Sequence, residues 1–153
     1  MHKTEPKIFL IASTEVNKAT LDDYLQHIGA SQWNSDAESS IEEIVEVMAR
    51  SCYKSFEPGL NLNVTRVRKS NASHLANLLE SGHGSTMEHA WVSFMFCDVS
   101  RVFTHELVRH RVGVAISQES LRYVRLTDLG LWIPSCYAKI PKYVERFENK
   151  FRQ

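Results

Sequence analysis

The sequence predicts an α/β chain, and three observations carry that prediction. Two short apolar runs, residues 7–13 and 90–99, have the length and the polar or proline boundaries of strands. Two further segments, 40–53 and 71–82, repeat their apolar residues at the 3.6-residue period of an amphipathic helix. At 153 residues, 43% hydrophobic and 24% charged, the chain has enough apolar material for one cored domain, and 1–153 is read as a single domain.

Taken in order, KIFLIAS at 7–13 lies between Pro6 and a polar stretch and reads as a buried strand. Thr20 with Asp23 three residues on, then Tyr24, Leu25 and Ile28 before Gly29, reads as a short capped helix. Residues 31–39 are polar and loop-like, with Trp33 as their anchor. Ser40 and Glu43 form an S-x-x-E capping box, so the helix over 40–53 is expected to turn Ile41, Ile44, Val45, Met48 and Cys52 inward. Pro58-Gly59 marks a turn. The next helix begins at Asn71, faces Leu75, Leu78 and Leu79 inward and stops at Gly82.

Residues 82–89, GHGSTMEH, read as a polar loop, and 90–99 are apolar at both alternating positions, the pattern of a strand covered on both faces. Ser100 caps a helix with Val102, Phe103 and Leu107 inward, expected to reach about Arg111 and to break at Gly113. A loop through Ser117 and Ser120 leads to a strand-like 121–126. After Pro134 and Pro141, residues 142–153 set Tyr143, Val144, Phe147 and Phe151 on one face of a charged helix, a stripe that needs something to pack on.

Eighteen basic and eighteen acidic residues cancel, so no global field draws the chain to nucleic acid or to an anionic membrane. Cys52, Cys97 and Cys136 are odd in number, widely spaced and free of any C-x-x-C pair; they read as reduced core or near-core thiols. The first residues lack an apolar signal core, and no apolar run approaches the ~20 residues that cross a bilayer. A cytoplasmic protein is the expectation.

Local charge is more informative. Between Arg101 and Arg125 stand five arginines, no lysine and only two acids, Glu106 and Glu119. Metal binding is not expected: His105-Glu106 begins like H-E-x-x-H but puts Arg109 where the second ligand must stand, and His83 and His89 lack an evident third ligand. Ser120 is a weak candidate nucleophile, since no G-x-S-x-G elbow surrounds it, and a phosphate-binding or turn-capping hydroxyl fits its setting better. With neither a P-loop nor a G-x-G-x-x-G, any phosphate must be held by side chains. Arginine suits that task because its planar fork gives paired hydrogen bonds to phosphate oxygens, and Arg109 and Arg122 with Ser120 would make such a pocket. A solvated basic face paired with acids elsewhere is the alternative. Pattern alone reaches a small anionic ligand.

The string Arg109-His110-Arg111, eight residues, then Ser120 resembles the R-H-R-x(7 or 8)-S signature of flavin-dependent thymidylate synthases. Two other segments also resemble that family: Cys52-Tyr53-Lys54-Ser55-Phe56 and residues 82–90. The resemblance implies a twisted, mainly antiparallel sheet flanked by helices. It implies methylation of deoxyuridine monophosphate (dUMP) with carbon from methylenetetrahydrofolate and hydride from FAD reduced by NADPH. Carried over by motif, Glu106, Arg109, Gln118, Glu119, Ser120, Leu121 and Arg122 would contact dUMP. His83, Ser85, Arg109, His110, Arg111 and Gln118 would contact FAD. No protein nucleophile is required. Members form homotetramers with shared active sites, and the family continues past residue 153 with further flavin and nucleotide contacts. Glu106 stands where many members have Gln. A binding or assembly module that keeps the pocket without turning over is the competing expectation.

Overall fold

A computed structural model describes residues 2–125, 127 and 129–151. In chain order the elements are strands β1 (His2–Lys3) and β2 (Lys7–Ser13), helices α1 (Lys18–His27), α2 (Ser40–Tyr53) and α3 (Asn71–Glu80), a 3₁₀ helix (Gly84–His89), strand β3 (Val92–Cys97), helix α4 (Arg101–Leu107), strand β4 (Gly130–Leu131), and helices α5 (Ser135–Ala138) and α6 (Pro141–Phe151). Strand β1 pairs in parallel with β4, and β2 pairs with β3, giving two two-stranded sheets. The α/β class holds as helices with small sheets. The chain divides into two compact units, Leu10–Ser93 and Met1–Phe9 with Phe94–Gln153.

In the unit Leu10–Ser93 the helix starts are set one to three residues earlier than the capping patterns suggest. Asn17, not Thr20, caps α1, accepting from Thr20 N at 3.2 Å. Ser39, not Ser40, caps α2: it has the extended backbone a cap requires, accepts from Glu42 N at 3.3 Å, and its hydroxyl reaches the Glu42 carboxylate at 3.2 Å. The box is therefore Ser39/Glu42. One core cluster gathers Leu25, Ala30, Val47 and Phe56 beneath Trp33, whose ring meets Phe56 edge-on at 5.1 Å, so Trp33 anchors its loop as expected. The other joins Val45, Ala49 and Leu78.

The buried face of α2 differs from the expected stripe. It holds Glu43, Val45, Glu46, Val47, Ala49 and Arg50, while Ile41, Ile44 and Met48 are half-buried and Cys52 is exposed. Helix α3 and the 3₁₀ helix both pack on α2, and the chain on either side reaches Glu46 through Ser35 and Arg50 through Ser55, so the covered arc is wider and includes charge. Helix α3 follows its prediction at Leu78, which is buried, but Leu79 is 70% exposed.

The two longer strands are not buried. Every residue of β2 is exposed, and in β3 only Phe96 and Cys97 are half-buried. Each strand has a single strand neighbour, so apolar side chains alternating to both faces find too little to cover them. Cys136 is exposed as well, which leaves Cys97 alone near a core. In the unit that contains α4, residues 121–123 form a turn where strand character was expected, and Leu126 lies outside the described residues. The α6 stripe is only partly covered: Tyr137 of α5 meets Tyr143 at 5.3 Å and Phe147 at 5.9 Å and Lys3 pairs with Glu148 at 3.3 Å, yet Tyr143 stays exposed and no described residue of the helix is buried. Residues 152–153 of that expected helix lie outside the described residues. Among the described residues no helix is long and apolar enough to cross a membrane.

Candidate functional site

The predicted site residues fall in both compact units, and each group has its own local scaffold. In the unit Leu10–Ser93, Gly82 ends α3 with φ +69, a left-handed conformation that costs glycine nothing and turns the chain outward. His83 then donates its backbone N–H to Leu78 O at 3.0 Å and accepts at its carbonyl from Thr86 Oγ1 at 3.0 Å. Buried Thr86 thus ties the 3₁₀ helix to its start, and 82–89 is an ordered turn of helix rather than an open loop. The His83 ring is half-buried, its Nδ1 is 2.9 Å from the Tyr53 hydroxyl, and the two rings lie 5.5 Å apart at 31°. Ser85 is exposed.

The second group starts from α4. Ser100 caps it, accepting from Phe103 N at 3.1 Å, and the helix ends at Leu107 rather than near Arg111. The backbone then loosens into turns, Arg109 N to Glu106 O at 3.2 Å and His110 N to Leu107 O at 3.1 Å, and reverses at Gly113 with φ +71. Arg109, His110 and Arg111 therefore stand on turn and coil backbone, not on a regular helix. Their side chains are exposed and make no hydrogen bond or ion pair among the described residues. Among the described residues no acid pairs with them.

Helix α4 also grips the following loop at two points. Arg101 donates from Nη2 to the Glu119 carbonyl at 2.8 Å, and Gln118 Nε2 donates to Thr104 Oγ1 at 2.6 Å. Within the loop, Ser120 Oγ accepts from Arg122 N at 3.2 Å and its carbonyl accepts from Val124 N at 2.9 Å, the hydrogen bonding of a serine-led turn. The Arg122 guanidinium lies 5.5 Å from the Tyr123 ring centroid. Glu106, Glu119, Leu121 and Arg122 are exposed. Chemically this is a group of exposed cations, Arg109, His110 and Arg111, beside a loop that Gln118 and Arg101 tie to α4, suited to a polyanionic or polar planar ligand. No three His, Cys, Asp or Glu side chains among the described residues are placed to hold a metal ion.

Residues 35–153 match the thymidylate synthase complementing protein family. The chain belongs to that family. Relatives named flavin-dependent thymidylate synthase include one from Mycobacterium sp. (strain JLS), 41% identical over 102 residues that cover 67% of this chain and 37% of that protein. Another, from Corynebacterium glutamicum, is 34% identical over 116 residues, 76% of this chain and 44% of the relative. A third, from Mycobacterium bovis (strain BCG), is 38% identical over 102 residues, 67% and 38% of the two chains. The chain thus spans less than half the length of these curated relatives.

Three supporting residues are not evident from the sequence motifs. Tyr53 stands in a family-like string that assigns it no role, Arg101 reads as one more cation of the arginine cluster, and Thr104 belongs to no motif. The last two were accessible in principle. Spaced i, i+3 behind a serine cap, they share a helix face that a loop returning after Gly113 can reach.

Proposed function

We propose that this chain serves as a flavin-dependent thymidylate synthase domain that methylates dUMP to dTMP. Arg109, with Glu106 three residues before it, binds the nucleotide, and the 118–122 loop of Gln118, Glu119, Ser120, Leu121 and Arg122 wraps its phosphate and base. Arg109, His110, Arg111 and Gln118 contact FAD, and so do His83 and Ser85. The observation that carries this reading is the run Arg109-His110-Arg111, exposed and without partners among the described residues, eight residues before Ser120. Those donors fit a flavin, whose reduced ring is anionic at its pyrimidine end, and preorganised cations stabilise that charge at little reorganisation cost. Bound flavin would supply the hydride it receives from NADPH, and methylenetetrahydrofolate the carbon.

The protein's own part is positioning. Thr104 and Arg101 hold the loop so that its amide and guanidinium donors are preset, and no side chain is asked to act as a nucleophile. The wider reading includes residues 1–153 working as one domain, a twisted and mainly antiparallel sheet, a homotetramer with shared active sites, and a cytoplasmic setting without nucleic-acid or membrane partners. The uncovered apolar faces of β2 and β3 support the assembly. A second reading, a module that binds nucleotide or flavin without turnover, rests on the greater length of the relatives.

The test is direct. Protein purified with added FAD should carry the yellow flavin absorbance and oxidise NADPH only when dUMP is present. Colourless protein that binds neither ligand overturns the proposal; binding without turnover favours the second reading.

A further inference from the structure

The segment Cys52-Tyr53-Lys54-Ser55-Phe56 has no task in the reading above, and the structure gives it one. Helix α2 ends at Tyr53, and Lys54 takes a left-handed conformation, φ 49 and ψ 46, that stops the helix and reverses the chain. The backbone on both sides is clamped. Ser55 N donates to Arg50 O at 3.0 Å, Arg50 Nη1 donates to Ser55 O at 2.8 Å, Asn61 Nδ2 donates to Tyr53 O at 2.7 Å, and Phe56 is 2% exposed in the core. Tyr53 is thereby aimed outward from a rigid corner.

Its hydroxyl meets His83 Nδ1 at 2.9 Å with the rings tilted 31°. His83 is itself on fixed backbone, through Leu78 and Thr86, so the freedom left to it is rotation of its ring and the choice of protonated nitrogen. A phenol is a better donor than a neutral imidazole N–H, and an imidazole lone pair is a better acceptor than a phenol oxygen. For a neutral ring this match of donor and acceptor assigns the proton of the 2.9 Å contact to the hydroxyl, leaves Nδ1 its lone pair and puts the ring proton on Nε2.

We propose that Tyr53 is a positioning residue for His83: the hydrogen bond and tilted ring contact hold the imidazole in one rotamer with Nε2–H as its free donor toward the flavin. This rests on the reading that His83 contacts the flavin, and it assigns the helix-ending segment the work of presetting that contact. A donor held ready before the ligand arrives loses little freedom on binding, whereas a freely turning imidazole offers the right nitrogen for only part of the time.

Two measurements on the full chain separate the inference from the reading beneath it. The first uses 15N-histidine NMR on the flavin-free protein, comparing it with Tyr53→Phe, which keeps the ring contact and loses the hydroxyl. The expected result is a single Nε2–H tautomer for His83 that becomes a mixture in the variant; an unchanged tautomer overturns the proposal. The second titrates FAD by fluorescence against the original chain, Tyr53→Phe, His83→Ala and the double variant. Tyr53→Phe should weaken binding about three- to tenfold, the size of one lost hydrogen bond, and should have no further effect once His83 is Ala. Equal losses in both backgrounds overturn it, because Tyr53 would then act on the flavin alone. If His83→Ala binds FAD like the original chain while the tautomer still shifts, it is the flavin assignment of His83 that fails, and the positioning of its ring by Tyr53 stands.

Discussion

Beneath Trp33, Glu46 and Arg50 form an ion pair in which each side chain is 1% exposed. Arg50 donates to Glu46 Oε1 from Nε at 2.8 Å and from Nη2 at 2.6 Å, and reaches the Arg68 carbonyl at 2.8 Å. The other carboxylate oxygen accepts from Ser35 Oγ at 2.6 Å and Asn71 Nδ2 at 2.8 Å. With its partners complete the pair is tolerated; with one removed, a buried charge stands alone. Arg50→Leu should therefore cost about 3–5 kcal/mol, read from the urea midpoint. Sequence could not show this, because a Glu and an Arg four apart on a helix look like an exposed pair, and only the loops folded over α2 bury them. The same pocket sets a pH response. His74, 7% exposed, has its pKa lowered from 6.5 to about 4, first by burial and then by Arg50, with Glu46 opposing and Arg68 adding. Between those values the unfolded chain takes up a proton that the folded chain refuses. Stability is thus full above pH 6.5 and falls as pH drops toward 4, by about 1–2 kcal/mol at pH 5. Urea midpoints at pH 7.5 and 5 should show the loss, and His74→Gln should remove this part of it.

Elements were legible where a local signal was strong and ambiguous where two neighbours could play one role. Both 39 and 40 are serines followed three residues later by a glutamate, so the sequence offered two capping boxes and the backbone chose the first. Ser39→Ala should lower stability by about 1 kcal/mol, while Ser40→Ala, already inside the helix, should change it by a few tenths at most. Thermal or urea unfolding of the two variants decides the assignment. The strand Lys7–Ser13, helix α2 over its whole length, and the stop at Gly82 were readable because Pro6, the apolar period and a glycine each act within a turn of the boundary. The end of α4 was not. Val108 to Arg111 have helix-compatible identities, and what ends the helix at Leu107 is the turn geometry before Gly113. For the candidate site this matters, since Arg109, His110 and Arg111 were named from the motif, yet the coil that presents them and the Thr104 and Arg101 clamps came only with the structure.

For the whole molecule, the unresolved demand is apolar surface. Along β2, Ile8 and Leu10 alternate with Phe9 and Ile11, so both faces of the strand are apolar, and all four side chains are 48–64% exposed. Val92, Phe94 and Met95 of β3 are 44–54% exposed. The sequence marks both runs as strands, and they are, but it expects residues 7–13 buried and residues 90–99 covered on both faces, and the described residues do not supply that cover. Burying one such side chain contributes about 1.5–3 kcal/mol, so a contact between copies that covers several of them repays the cost of association. If copies of this chain meet there, four of them at 17.6 kDa each give about 70 kDa by light scattering after size exclusion. Ile8→Lys with Ile11→Lys places one charge on each face of the strand, where a contact between copies would have to bury it without a partner. The double variant should shift the mass toward 17.6 kDa while its far-ultraviolet circular dichroism stays unchanged. A starting chain that already runs as a single copy would mean that these faces are not covered by self-association, and the shared-site assembly would fall with it.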